Sequence, residues 1–438
     1  MKDDYYYDDG GYDEYYDNST DEVVEVNPLE VKYVDGKNFM HRNVEESLRC
    51  LQEVVAEDSA HGRWTFKALK MLARACRIAK QYDAMADYYA QVVHFMHPDV
   101  DTSAVSKAML KFTEESQRVP VEWRERTLHI TLEVATAQPE SYRDAIVPIL
   151  LHRATLFLEE AQYEAALVDL KAALQQCEES LVTMTQVNTN SVYHIRTLQL
   201  TAYRKLGRYS ELRRAYYELG RIHTALPSLR MIGSAMESAG HLFLHDADWA
   251  AAHRAFSSAL RCHTESGDAQ QYNVIKFVVL AIIMAGLPVD VFAQEETLAN
   301  HPSVRPVRAL WQAFVELDVS TFLQVLHAPE SAACFAKDVE FAPYVEALVF
   351  QLRTSYLIAY SQSFGTLSLV ELSARLQLQE QPCKELCTSA ILLGLINARV
   401  DDARKLLLFQ HGSRAVSSSE AMLRDLSNVA SELCCKWA

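Results

Sequence analysis

Proline and glycine are scarce in this chain, twelve and thirteen among 438 residues, roughly half their usual frequency. That scarcity argues against a fold of many short strands and turns and favours long helices. Long apolar runs are missing as well. A membrane-spanning helix needs about 18 such residues, and the longest run, 277–287, has eleven. The amino terminus is acidic rather than basic and apolar, so no signal or transit peptide is expected. Nine cysteines include no C-x-x-C pair; Cys383 with Cys387 and Cys434 with Cys435 lack the spacing and companions of a zinc site. Reduced thiols in a protein of the cytoplasm and nucleus are the expectation. Also lacking are a His-Glu-x-x-His helix, a His-x-His with a distant aspartate, a glycine-rich phosphate loop and a nucleophile elbow. His241 and His245 have the i, i+4 spacing of a metal pair, but Leu242 stands where a general base is needed. Neither an enzyme, a cofactor nor a metal site is expected.

Charge is unevenly spread. Residues 1–25 hold ten acidic groups and one basic, Lys2, and so supply −9 of the net −16. Six tyrosines sit among the acids without periodicity. Residues 1–35 therefore read as a disordered acidic, tyrosine-rich tail, either a solubilising extension or a docking arm for a basic partner.

From about residue 43 the chain repeats itself. Four segments carry an aromatic followed by apolar or small residues three, seven and ten positions on: Tyr82 (Met85, Tyr89, Val92), Tyr163 (Ala166, Leu170, Ala173), Tyr209 (Leu212, Tyr216, Leu219) and Trp249 (Ala252, Phe256, Ala259). Weaker copies begin at Val44, with Leu51 and Val54, and at Trp123, with Ile130. These spacings put each set on one helix face. Lys80-Gln81, Ala161-Gln162, Gly207-Arg208 and Ala247-Asp248 precede them as tight turns. A period near 40 predicts a mostly α TPR/HEAT-like helical-repeat solenoid over 36–245. The most apolar stretch, 240–288, is predicted to close it. Val274, Phe277, Val278, Ala281, Ile282 and Ala285 form a wide buried face, and Gly286 with Pro288 ends the helix.

Two basic surfaces stand out. Arg63, Lys67, Lys70, Arg74, Arg77 and Lys80 share one helix, 61–80, that contains no acid; the middle four form a stripe at spacings 3, 4, 3. An anionic partner is expected there, either a protein with acidic patches or a polyanionic small molecule. Aromatic interleaving and nucleic-acid fingerprints are lacking, so no nucleic acid is expected, and no membrane. The second cluster, Arg196, Arg204, Lys205, Arg208, Arg213, Arg214 and Arg221 against Glu211 and Glu218, is read as a solvated helix face.

After residue 341 the texture changes. A long helix over 344–363 precedes a capping box, Ser368 to Glu371, that opens a short helix to Leu376. A helix from Pro382 at its first position runs to Leu395. Residues 396–400 and 405–409 form a hairpin. Helix, helix, helix, hairpin is a winged helix, and only Lys384 is basic on the helix a DNA reader would use. Protein packing is its expected role. Finally Leu423, Leu426, Ala430, Leu433 and Trp437 recur at 3, 4, 3, 4, a heptad seam on a last helix over 412–438 that needs a partner.

Helical repeats running into a winged helix resemble the PCI-domain scaffold family, and within it the COP9 signalosome branch. The residues that carry this likeness are the acidic tyrosine tail, 63–70, 221–227, 248–267 and 275–281; family members usually have Lys-Tyr-Leu-Val-Leu-Ala where 276–281 stand here. The paralogous subunit of the proteasome lid is the alternative, with translation-initiation scaffolds behind it. The resemblance implies a PCI domain over 246–411, helical to 340 and winged from 341. It implies a non-catalytic scaffold whose partners are other signalosome subunits, of PCI and metalloprotease type. It further implies amino-terminal repeats that reach a cullin–RING ubiquitin ligase, from which another subunit removes a ubiquitin-like modifier. Under it, Arg63, Lys67, Lys70, Arg74 and Arg77 meet the ligase or a bridging inositol polyphosphate. Leu423, Leu426, Ala430, Leu433 and Trp437 join the subunit bundle.

Overall fold

The computed structural model describes residues 27–58, 60–179, 186–223, 225–293, 296–329 and 331–409. The acidic tail to residue 26 and the heptad seam of Leu423, Leu426, Ala430, Leu433 and Trp437 lie outside the described residues. The chain divides into two compact units, 1–152 and 153–438.

In the first unit α1 (Pro28–Phe39), α2 (Val44–Glu57), α3 (Arg63–Ile78), α4 (Tyr82–Val93), α5 (Thr102–Glu115) and α6 (Val121–Ala137) follow one another, and α7 (Arg143–Glu159) carries the division between the units. Residues 28–35, expected in the tail, are helical. The Asn27 side chain accepts from the Leu29 amide at 3.0 Å and Pro28 opens the helix, an N-cap followed by a proline at N1. The Tyr82 face is buried as its spacing requires, with Met85, Tyr89 and Val92 all at 2% exposure or less. Tyr89 stacks on Phe112 at 4.0 Å between ring centres and shares a 2.7 Å hydrogen bond with the Thr131 hydroxyl. That hydrogen bond shows why the weak copy at Trp123 is off register. Helix α6 buries Thr127, Leu128, Thr131, Val134 and Ala135, whereas Trp123 and Ile130 remain half-buried.

The second unit begins with α8 (Tyr163–Glu179), α9 (Gln186–Lys205), α10 (Tyr209–Leu219), α11 (Leu229–His245), α12 (Trp249–Glu265) and α13 (Gln271–Ala285). Ala166, Leu170, Ala173, Ala252, Phe256 and Ala259 are fully buried. The predicted tight turns share one device. Lys80, Ala161, Gly207 and Ala247 all have φ between 58° and 68°. The amide of each following residue bonds a carbonyl five residues back, for example Asp248 to Phe243 at 2.9 Å. This closure satisfies carbonyls the helix end leaves orphaned.

Helix α13 is buried from Val274 to Met284 and ends on Gly286 in the left-handed region, φ 61°. Phe277 stacks on Phe256 of α12 at 5.4 Å. Gly240 of α11 makes this possible: a Cβ there would lie 2.6 Å from the Phe256 ring. One continuous core runs from Leu244 through α13 to Phe409. It takes in the short α14 (Glu296–Ala299), α15 (Arg305–Val315) and α16 (Val319–His327), then α17 (Val345–Ser363). A charge enters this core at Lys276, 6% exposed, whose Nζ meets Asp338 Oδ2 at 2.5 Å. Asp338 in turn accepts the Glu340 and Phe341 amides at 2.8 and 3.1 Å, tying the lead-in to α17 onto α13.

The winged helix follows as α17, β1 (Thr366–Ser368), α18 (Leu369–Arg375), α19 (Glu380–Leu392), β2 (Ala398–Asp401) and β3 (Leu406–Phe409). The expected hairpin is present, and it gains a third strand: β1 pairs antiparallel with β3, Thr366 opposite Leu408, giving the order β1-β3-β2. The capping box is not formed. Ser368 is the last residue of β1, its hydroxyl caps no helix amide, and Glu371 pairs with Arg375 at 2.8 Å instead. Helix α19 also starts two residues before Pro382, at Glu380.

Candidate docking surfaces

Helix α3 buries one face completely, Phe66, Leu69, Leu72, Ala73 and Cys76 among it, and desolvation pushes the Cys76 thiol up to about 11. Its amino end has no acid of its own. Asp58 supplies one from outside, accepting the Gly62 and Thr65 amides at 3.2 and 3.0 Å and the Thr65 hydroxyl at 2.8 Å. Burial opposes the Asp58 charge, but those Thr65 and backbone bonds outweigh it and hold the carboxyl below its usual range.

The stripe lies on the opposite, half-exposed side. Lys67 Nζ sits 4.9 Å from the Trp64 ring and 5.9 Å from that of Tyr33, and Lys70 Nζ sits 5.2 Å from Phe66. Arg63 and Lys80 are exposed at the ends. The carboxyl end is not uncompensated, as the helix read alone suggests. Glu115 of α5 pairs with Arg74 at 3.0 Å and with Arg77 at 3.3 Å. Arg74 and Arg77 thus share one acid from a neighbouring helix.

The second basic cluster divides: Arg196 and Arg204 are drawn into internal ion pairs, whereas Lys205, Arg208, Arg213, Arg214 and Arg221 stand on the exposed face the sequence suggests. Arg196 and Arg214 share Glu218 at 2.8 and 3.1 Å; Arg204 meets Glu237 at 2.7 Å and Glu340 at 3.4 Å; Lys205 meets Glu340 at 3.0 Å. Arg208 pairs with Glu164, and Arg213 with Asp246. Glu237 is the deepest of these acids. Burial alone would raise its pKa, but the Arg204 guanidinium, with the His263 ring 3.6 Å away, holds it far below the carboxylate range. Arg204, equally buried, is held charged by Glu237 and Glu340 against its desolvation.

His241 does not join a metal pair with His245. It is buried against Phe256 and Phe277, and burial with the Arg204 charge holds it neutral, well below its ordinary value. His245 stacks on Tyr209 at 3.8 Å. Among the described residues, no group of three or more His, Cys, Asp or Glu is placed to hold a metal.

Comparison with known proteins agrees with this architecture. The PCI domain family model matches residues 314–411, which take in the whole winged helix. COP9 signalosome complex subunit 2 of Dictyostelium discoideum is 22% identical over 411 residues, 92% of this chain and 90% of that protein. The protein of the same name from Schizosaccharomyces pombe is 21% identical over 90% of this chain and 91% of its own length. That from Drosophila melanogaster is 22% identical over 90% and 89%. The chain thus carries a PCI domain and is similar, along nine-tenths of its length, to COP9 signalosome complex subunit 2.

Proposed function

We propose that the chain is a non-catalytic scaffold of a COP9 signalosome, in the cytoplasm and nucleus, that docks a cullin–RING ubiquitin ligase while another subunit removes the ubiquitin-like modifier. The observation that carries this is the end-to-end similarity to signalosome subunit 2, which spans the repeats as well as the PCI domain. In this proposal the winged helix and the heptad seam of Leu423, Leu426, Ala430, Leu433 and Trp437 hold the neighbouring subunits. The α3 set of Arg63, Lys67, Lys70, Arg74 and Arg77 holds an acidic surface of the ligase or a bridging inositol polyphosphate. Each exposed ion pair is worth only about 0.2–1 kcal/mol, so several must act together.

The test is a pull-down of ligase by the assembled complex carrying Arg63→Glu with Lys70→Glu. These sites suit it better than Arg74 or Arg77, where a glutamate would face Glu115. Ligase capture should fall roughly ten-fold or more with assembly intact; unchanged capture at low salt removes α3 from the account. Deleting 413–438 should separately block assembly while the repeats stay folded.

A further inference from the structure

A groove on the second unit takes no part in that docking proposal. Its apolar end, about 520 Å³, lies among Tyr193, Tyr216, Leu219, Ile222 and Met236. Its cationic end, about 360 Å³, lies among Ser210, Arg213, Arg214 and Glu218. Tyr217 and Arg221 line both. We propose that this groove binds an acidic peptide segment of a partner protein, with one aromatic side chain of that segment seated at the apolar end.

The floor is preformed. Tyr216 is fixed edge-on against Phe243 at 5.9 Å, and Leu219 is buried beneath it. The rim is not covered: Tyr217 is 65% exposed. Both ends are shallow and open to solvent, with room for one ring and its immediate neighbours. Charge selects what surrounds that ring. Of the three guanidiniums at the cationic end, Arg213 is paired with Asp246 and Arg214 with Glu218, which Arg196 shares. Arg221 forms no ion pair among the described residues, and the Arg214 side chain remains 83% exposed beside its partner. This is a local positive surface on a chain of net charge −16, and guanidiniums recognise carboxylates through paired N–H donors. Arginine and tyrosine also suit RNA, but Glu218 in the lining opposes phosphates and favours a peptide, whose carboxylates can be spaced around it.

The probe is a fluorescein-labelled ten-residue peptide of alternating aspartate and tyrosine, titrated into the full chain and followed by anisotropy. Saturable binding is expected. It should weaken roughly ten-fold in Arg221→Glu and in Tyr217→Ala, both exposed positions whose variants should keep the parent circular dichroism. It should be lost when asparagine replaces aspartate in the peptide, and persist in Lys70→Glu, which keeps this surface distinct from α3. Absence of binding, equal binding by both groove variants, loss in Lys70→Glu alone, or equal competition by a ten-residue oligouridine would each overturn the proposal.

Discussion

Replacing Glu237 with glutamine tests whether the buried part of the second basic cluster is bracing. Glu237 lies in α11 at 9% exposure and takes a 2.7 Å ion pair from Arg204, whose own side chain is 8% exposed. Glutamine keeps the shape and removes the charge, so among the described residues Arg204 stays buried with Glu340, at 3.4 Å, to answer it. Breaking a buried pair by deleting one partner costs about 3–5 kcal/mol; the residual contact puts this case near the lower figure, about 3 kcal/mol. For a unit of this size that is about 6–12 °C in Tm. The sign with pH follows from the depressed carboxyl. The contribution is fully present above the ordinary glutamate range and is lost as pH falls towards the lower folded value. Below about pH 4.5, each pH unit should remove ~1.4 kcal/mol of the difference between the two proteins. Urea unfolding followed by circular dichroism, at pH 7 and at about pH 3.5, measures both quantities. Equal stability at pH 7, or a gap that stays constant on acidification, would refute the bracing role.

Three other outcomes are expected. Gly240→Ala should cost about 1–3 kcal/mol in thermal unfolding, because its methyl would lie 2.6 Å from Phe256, whose ring is stacked on Phe277; Phe256→Leu in the same chain should restore part of the loss. Glu115→Gln removes the carboxylate that Arg74 and Arg77 share. It should tighten binding of inositol hexakisphosphate to α3 by a few-fold in calorimetry, and unchanged affinity would place the polyanion elsewhere. Asp58→Ala removes the outside cap of α3 and should cost about 1–2 kcal/mol. The parent's advantage over it should fade as pH drops below the ordinary aspartate range, since the folded carboxyl is depressed, and a parallel pH dependence of the two would contradict that.

Most of the architecture was legible because each repeat encodes its buried face and its turn locally. Trp249, Ala252, Phe256 and Ala259 are read from spacing alone, and the turn at Ala247 from its place before them. The strand β1 was not, since three residues paired through β3 carry no periodicity. The start of α1 was missed although Asn27 and Pro28 signal it. Part of the surface charge is hidden from the sequence because several cations find their partner about one repeat away rather than on their own helix. Arg204 and Glu237 are 33 residues apart, Arg213 and Asp246 also 33, Arg126 and Asp87 39, and Arg230 and Asp268 38. Those separations approximate the repeat period, so pairing each cation with acids one repeat away would have exposed the bracing. Lys276 resisted even that rule, because its partner Asp338 is 62 residues on, across the join to the winged helix.

The central claim is tested most directly by purifying the tagged chain from its native cell and asking what comes with it. A signalosome scaffold predicts a particle of PCI-type and metalloprotease-type subunits that strips the ubiquitin-like modifier from a cullin. It also predicts that the particle loses its ligase, but no subunit, when Arg63 and Lys70 are reversed to glutamate. A particle that instead degrades polyubiquitinated protein, or a chain that purifies with no PCI partner, would contradict the account.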